Sequence, residues 1–217
     1  MPNSTPVAAL YLETGCMRIG TIMKARRLNY LYYLAKLSKV EMLSKFFWCQ
    51  WDDCKESDWC YQAKRDLVEF RLPHDINQIT SKSRIGWKNL VKKRAKIYEL
   101  SELKTKAKNL KKLGGLDYEK LEMQEYLSNY EVVESRTVLR YRIHMSQYSA
   151  NFKGLAGVKL CHLCGSHEDR QDLSFSCPEV MKNLVIRSKY EDIFSSMITS
   201  ELVKDLMSIE KIRLEKK

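Results

Sequence analysis

Glycine and proline are scarce in this chain. Its 217 residues hold eight glycines and four prolines, so long irregular stretches and a turn-rich all-β architecture are disfavoured. No apolar run reaches the length of a membrane span, and no N-terminal signal peptide is visible. Four of the seven cysteines are scattered outside the one short-spaced group, which fits a reducing compartment better than a disulfide framework. The chain also lacks a Ser/His/Asp set, a Gly-rich phosphate loop and paired carboxylates in a catalytic context, so an enzyme is not the expectation. The expected location is intracellular, with the nucleus compatible with the basic charge described next.

What is present is charge and helix-forming residues. Thirty-eight Lys and Arg stand against 27 Asp and Glu, a net charge of +11, and hydrophobic content is 44%. Abundant Leu, Lys and Glu with few breakers predict a mainly α protein, a helical bundle. The positive balance favours a polyanionic partner, RNA or DNA contacted through its phosphates. An acidic protein partner is the alternative.

One stretch gathers soft ligands at short spacing: Cys161-His-Leu-Cys164-Gly-Ser-His167, followed after nine intervening residues by Cys177. Two cysteines separated by two residues can face one ion from a tight turn. Three sulfurs and one imidazole make a closed tetrahedral set of the kind that holds structural zinc. The predicted ligands are therefore Cys161, Cys164, His167 and Cys177, forming a small CCHC zinc knuckle near the C-terminus. His162, inside the cysteine pair, is the other candidate nitrogen. A free or redox cysteine pair is the plainer reading, but no βαβ pattern surrounds it.

Helices are expected after Thr5-Pro6 up to Gly15, over Arg18–Leu37 and from a Ser38-x-x-Glu41 capping box. Another should start at Ser57-Asp58 and stop before Pro73. Ile19, Ile22, Met23, Tyr30, Leu34 and Leu37 form the apparent stripe of the second helix, and Phe46, Phe47 and Trp48 read as core. From Ser81 to Leu113 twelve Lys and Arg face only Glu99 and Glu102. Ile85, Leu90, Ile97, Leu100 and Leu103 are the candidate buried stripe there. Within that run Lys88, Lys92, Lys93, Arg94 and Lys96 are candidate phosphate contacts. Gly114-Gly115 is the clearest break, dividing a basic helical region 1–113 from a knuckle-bearing helical region 114–217. Helices are expected over Asp117–Asn129, Glu131–Tyr148, Tyr190–Phe194 and Ser200–Leu214. Arg136, Arg140 and Arg142 on the second of these extend the candidate phosphate-contacting face, with His144 one turn beyond Arg140. Phe175 and His162 are candidates to stack on an unpaired base.

Several segments in order resemble one family: Tyr11–Gly15, Arg26-Arg-Leu-Asn-Tyr-Leu31, Asp58-Trp59, Lys120–Leu127, Arg136–Met145, and Asn151-Phe152 followed by the knuckle. They resemble the region downstream of the polymerase core in non-LTR retrotransposon reading frames. The resemblance implies a thumb, linker and zinc knuckle that hold template RNA and target DNA. Many members have a histidine four residues before the last knuckle cysteine, where this chain has Leu173, so His167 must serve instead. Nothing matches the polymerase's paired aspartates; Asp52-Asp53, the one adjacent pair, sits in a helical context. The resemblance thus implies a non-catalytic module, a degenerate transposon fragment being the other outcome.

Overall fold

The computed structural model describes residues 6–108, 118–151, 159–186 and 188–215. It is mainly helical, and no strand occurs among the described residues. Thr5, Lys111, Lys112, Leu113, Gly114-Gly115, Asp117 and Phe152, all used in the sequence reading, lie outside the described residues. The helices are α1 (Val7–Thr14), α2 (Ile19–Lys36), α3 (Met42–Asp52), α4 (Trp59–Glu69), α5 (Ile76–Thr80), α6 (Arg84–Lys108), α7 (Tyr126–Asn129), α8 (Val132–Arg142), α9 (Pro178–Asn183) and α10 (Ser200–Glu215). Short 3-10 turns cover Ser149–Asn151, Asp172–Ser176 and Tyr190–Phe194. None of these helices is long and apolar enough to cross a membrane. Two compact units result: Cys16–Leu103, and Met1–Gly15 with Lys104–Lys217.

The first unit closes around Leu28, Leu31, Phe47, Ala63, Leu67, Phe70, Ile79, Trp87 and Val91. Trp87 fills its centre; the ring stacks on Tyr32 and its indole N–H donates to the Leu28 carbonyl at 3.1 Å. Burying such rings against aliphatics is the main source of stability here, at about 25 cal/mol per Å² of apolar surface. The helix-stripe phases differ from the sequence reading. On α2 the buried residues are Thr21, Leu28, Leu31, Tyr32 and Leu34, while Ile19, Met23 and Tyr30 are exposed. On α6 they are Trp87, Val91, Ala95, Glu99 and Leu103, while Ile85 and Ile97 face outward. Phe47 is core but its neighbour Phe46 is exposed, and α3 opens from Glu41 with no Ser38 capping box.

Glu99 is fully buried on α6 because the start of α2 satisfies it. Arg18, at the N-cap of α2, donates its backbone N–H (3.0 Å) and two guanidinium N–H groups (2.6 and 3.1 Å), and the Thr21 hydroxyl adds another bond. Burial alone would push this carboxyl up; the donors outweigh it and hold the group below the usual range.

In the second unit α1 ends at Gly15, whose φ of 66° is left-handed. A Cβ there would also collide with the backbone of Glu122 and Met123, so glycine is required twice over. That close approach places Glu13, fully buried, against Arg142 (2.8 Å), Tyr126 (2.8 Å) and the Tyr118 hydroxyl. The Arg142 Nη1 donates to the carbonyls of Ile193 (2.6 Å) and Ser195 (2.8 Å). Two expected helices are shorter than their patterns suggested. Residues 118–125 follow an irregular path into α7 because Tyr118, Leu121 and Tyr126 reach inward, two of them to Glu13. Helix α8 stops at Arg142, and His144 takes a left-handed φ of 52°. The far end closes as the pattern predicts: Leu202, Val203 and Leu206 of α10 pack with Ile193, Val138, Tyr141 and Tyr148.

Replacing Arg142 with Ala strands a buried carboxylate, which should cost about 3–5 kcal/mol. Denaturant unfolding should show that loss, whereas Arg136→Ala on the exposed side of the same helix should stay within about 0.5 kcal/mol.

Candidate metal centre

The knuckle begins as a tight hairpin. Leu160 and Glu168 form an antiparallel bridge, Cys161 donates its N–H to the His167 carbonyl at 2.7 Å, and Asp169 donates to Lys159 at 2.7 Å. Between them Gly165 N–H bonds the Cys161 carbonyl at 2.8 Å, and its φ of 65° lets the chain reverse right after Cys164. Cys177 arrives from the 3-10 turn Asp172–Ser176 and caps α9, with Pro178 in the first helical position.

These elements bring Cys161, Cys164, His167 and Cys177 together. Their four ligand atoms lie within 4.8 Å of one another. A tetrahedron with metal–sulfur bonds of about 2.3 Å has edges of about 3.8 Å, so no sulfur pair has more than about 1 Å to close. The imidazole is set up as a ligand. His167 Nδ1 meets the Glu168 carbonyl at 3.0 Å; a carbonyl only accepts, so Nδ1 carries the proton and Nε2 keeps its lone pair. Nε2 is buried and has no hydrogen-bond partner. A buried lone pair without a partner, in a residue grouped with three cysteines, is a costly arrangement unless a cation completes it. The group can therefore hold a metal ion.

The thiols differ in environment. Desolvation acts against the Cys164 thiolate, but the Ser166 hydroxyl at 3.1 Å, its backbone N–H and the neighbouring thiols lower its pKa to about 6. Burial pushes Cys177 up to about 11 despite the N–H groups at the start of α9. A bound cation would favour the thiolate at both positions.

His162 is not part of the cluster: its Nε2 lies 3.2 Å from the Arg213 carbonyl. Phe175 packs under the knuckle, edge-on to Tyr190 at 5.8 Å and beside Cys177 and Val180. Phe175 is thus half-buried, whereas His162 is exposed with one ring nitrogen engaged. Leu173 lies within the 3-10 turn, and His167 occupies the fourth ligand position.

The knuckle is tied to its unit by polar side chains that sequence reading missed. Asp169 accepts from Arg213 of α10 (2.9 Å) and from the Ser149 N–H (2.8 Å). Arg213 is buried over the Tyr148 ring at 3.9 Å and also donates to the Gln147 carbonyl. Gln171 donates to the Tyr141 carbonyl at 2.8 Å. Ile209 of α10 completes an apolar floor with Cys161, Cys177 and Val180.

The candidate phosphate contacts are distributed over α6 and α8. Lys88, Lys92 and Lys93 are exposed on α6, and Arg94 and Lys96 are half-buried; none of the five has an ion pair among the described residues. On α8 Arg136 is exposed and Arg140 half-buried. Arg142 is corrected: locked onto Glu13 and two carbonyls, it has no surface to offer a phosphate. His144 leaves the expected stripe because the helix has already ended, and it stacks on Phe194 at 5.9 Å.

Comparison with protein-family models, with curated proteins and with solved structures finds no match. The retrotransposon resemblance thus rests on the residues that suggested it.

Titration with Co(II) should give the intense visible bands of a tetrahedral thiolate site at one equivalent per chain. His167→Ala should weaken metal binding at least tenfold, and His162→Ala should leave it unchanged; equal effects would show that the wrong imidazole has been assigned.

Proposed function

We propose that this chain is a non-catalytic nucleic-acid-binding module whose C-terminal knuckle is stapled by one structural zinc ion. The observation that carries it is α6, where exposed Lys88, Lys92 and Lys93 lack ion pairs among the described residues. Like charges on adjacent turns repel one another, and an anionic backbone relieves that repulsion. Lys88 and Lys92 are one turn apart, which suits contacts with phosphates rather than with base edges. Arg136 and Arg140 of α8 supply a second basic set. The net charge of +11 agrees in sign.

Zinc is the ion favoured by three thiolates and one imidazole in a closed set. Four protein ligands leave no position for substrate or water, so the ion's role is to hold the fold rather than to perform chemistry. The retrotransposon resemblance supports the same reading and implies RNA or DNA as the partner. It also implies a module without polymerase chemistry, since nothing matches the paired aspartates.

Phosphate contact displaces condensed counterions, so affinity should fall log-linearly with salt. Replacing Lys88, Lys92 and Lys93 together with Ala should lower the slope by roughly two to three units for a fluorescent single strand or duplex, with little change in sequence preference. A folded triple variant that binds like the parent at every salt concentration would remove the reading. So would displacement of the bound strand by an acidic protein at concentrations where competing nucleic acid has no effect.

A further inference from the structure

Helix α2 has two apolar faces, and only one is used. Leu28, Leu31, Tyr32 and Leu34 enter the core of their unit. A second row, Ile19, Met23, Arg26, Tyr30 and Tyr33, runs down the outside in steps of four, three, four and three residues. That spacing is the a/d seam of a helix-to-helix contact. Its members are exposed: Ile19 by 70%, Met23 by 52%, Tyr30 by 45% and Tyr33 by 51%, with Arg26 exposed between them. A helix that lies on a folded unit needs one apolar face, so this second row has no explanation within the fold.

Three further observations describe what would cover it. The two tyrosines are already arranged: their rings stack at 5.7 Å, and Tyr30 meets the edge of Trp59 at 5.6 Å. Tyr, Met and Arg are the residue types enriched in protein interfaces, and rings already held in place lose little freedom on binding. Gly20, beside Ile19 in the first turn, has nothing within 4 Å of where a Cβ would lie, so no contact among the described residues requires its small size. Glycine costs helix stability there and permits close approach of another backbone. The charge is one-sided as well. Helix α2 has no Asp or Glu, and its four cations are Lys24, Arg26, Arg27 and Lys36. Lys24 is satisfied by Glu69 and Arg27 by Asp66. Arg26 and Lys36 are exposed and have no ion pair among the described residues.

We propose that the outer face of α2 docks an acidic amphipathic helix of a different protein, with apolar residues against Ile19, Met23, Tyr30 and Tyr33 and carboxylates beside Arg26 and Lys36. The seam covers about 21 Å of helix, enough for a partner of about four turns. A second copy of this chain is the poorer occupant, because symmetric pairing sets the basic edge of α2 against itself. Nucleic acid is poorer too: Ile19 and Met23 offer nothing to phosphates and little to bases. The inference does not rest on the nucleic-acid reading, which uses α6 and α8.

The test uses the full metal-loaded chain and two fluorescent synthetic helices of three heptads. Both have Leu at a and d; one has Glu at e and g, the other Lys. The acidic helix should bind at least tenfold more tightly than the basic one by fluorescence anisotropy. Tyr30→Ala with Tyr33→Ala should weaken it at least tenfold, and Arg26→Glu should shift the preference toward the basic helix. All the replaced residues are exposed, so the variants should remain folded, which circular dichroism checks. Alanine at Lys88, Lys92 and Lys93 should not change peptide affinity, which separates this surface from the α6 face. Several results would overturn the proposal. They are absence of binding, equal binding of both helices, loss of binding only in the α6 variant, and a parent dimer that the tyrosine variant converts to monomer. Weakened RNA binding in the tyrosine variant with unchanged peptide affinity would also overturn it, by assigning the face to nucleic acid.

Discussion

A buried imidazole nitrogen with no hydrogen-bond partner among the described residues, in a histidine grouped with three cysteines, is the constraint around which the C-terminal part of this chain is arranged. Without a cation the His167 Nε2 lone pair would be desolvated for nothing. With one, Cys161, Cys164, His167 and Cys177 close a short hairpin that has little apolar material of its own. The rest of the knuckle reads as support for that geometry. The Glu168 carbonyl orients the imidazole, Gly165 reverses the chain, and α9 brings Cys177 in from the far side. Asp169 and Gln171 then hand the knuckle to Arg213 of α10 and to the end of α8.

A second device recurs in both units: a fully buried carboxylate held by an arginine from a distant part of the sequence. Glu99 takes Arg18 and Thr21; Glu13 takes Arg142, Tyr118 and Tyr126. A pair of this kind is weak as a net source of stability but severe when half is removed. Its effect is selective. Only one register of α1 against the 118–126 segment and α8 satisfies Glu13, and only one placement of the α2 start satisfies Glu99. In a chain rich in lysines and leucines, where many helix packings are nearly equivalent, such pairs choose among them.

The Cys/His set was readable because metal ligation depends on residue type and short spacing, both printed in the sequence. Gly15 as a helix end, the α4 start at Asp58 and the long C-terminal helix were readable for the same local reasons. What was not readable is the direction in which helices face. Helix α2 has apolar residues on two sides, and the periodic pattern picked Ile19, Met23 and Tyr30 with Leu34, mixing the outer row with the core row. On α6 two offset apolar sets compete, and the bulk of Trp87 decides in favour of Val91, Ala95 and Leu103 over Ile85 and Ile97. Arg142 looked like one more cation on a basic helix; its partner Glu13 lies 129 residues away, beyond any local pattern. The expected 117–129 helix is reduced to α7 because its tyrosines were drawn to that same carboxylate.

If the metal staples the knuckle to α8 and α10, removing it should loosen that neighbourhood selectively. Amide hydrogen exchange with and without a chelator measures this directly. The account predicts that chelation exposes the amides of Cys161, Gly165 and Asp169 and speeds exchange in α9 and α10. Helices α2 and α4 and the part of α6 within Cys16–Leu103 should keep their protection. Unchanged protection of the knuckle amides in a demonstrably metal-free chain would contradict it.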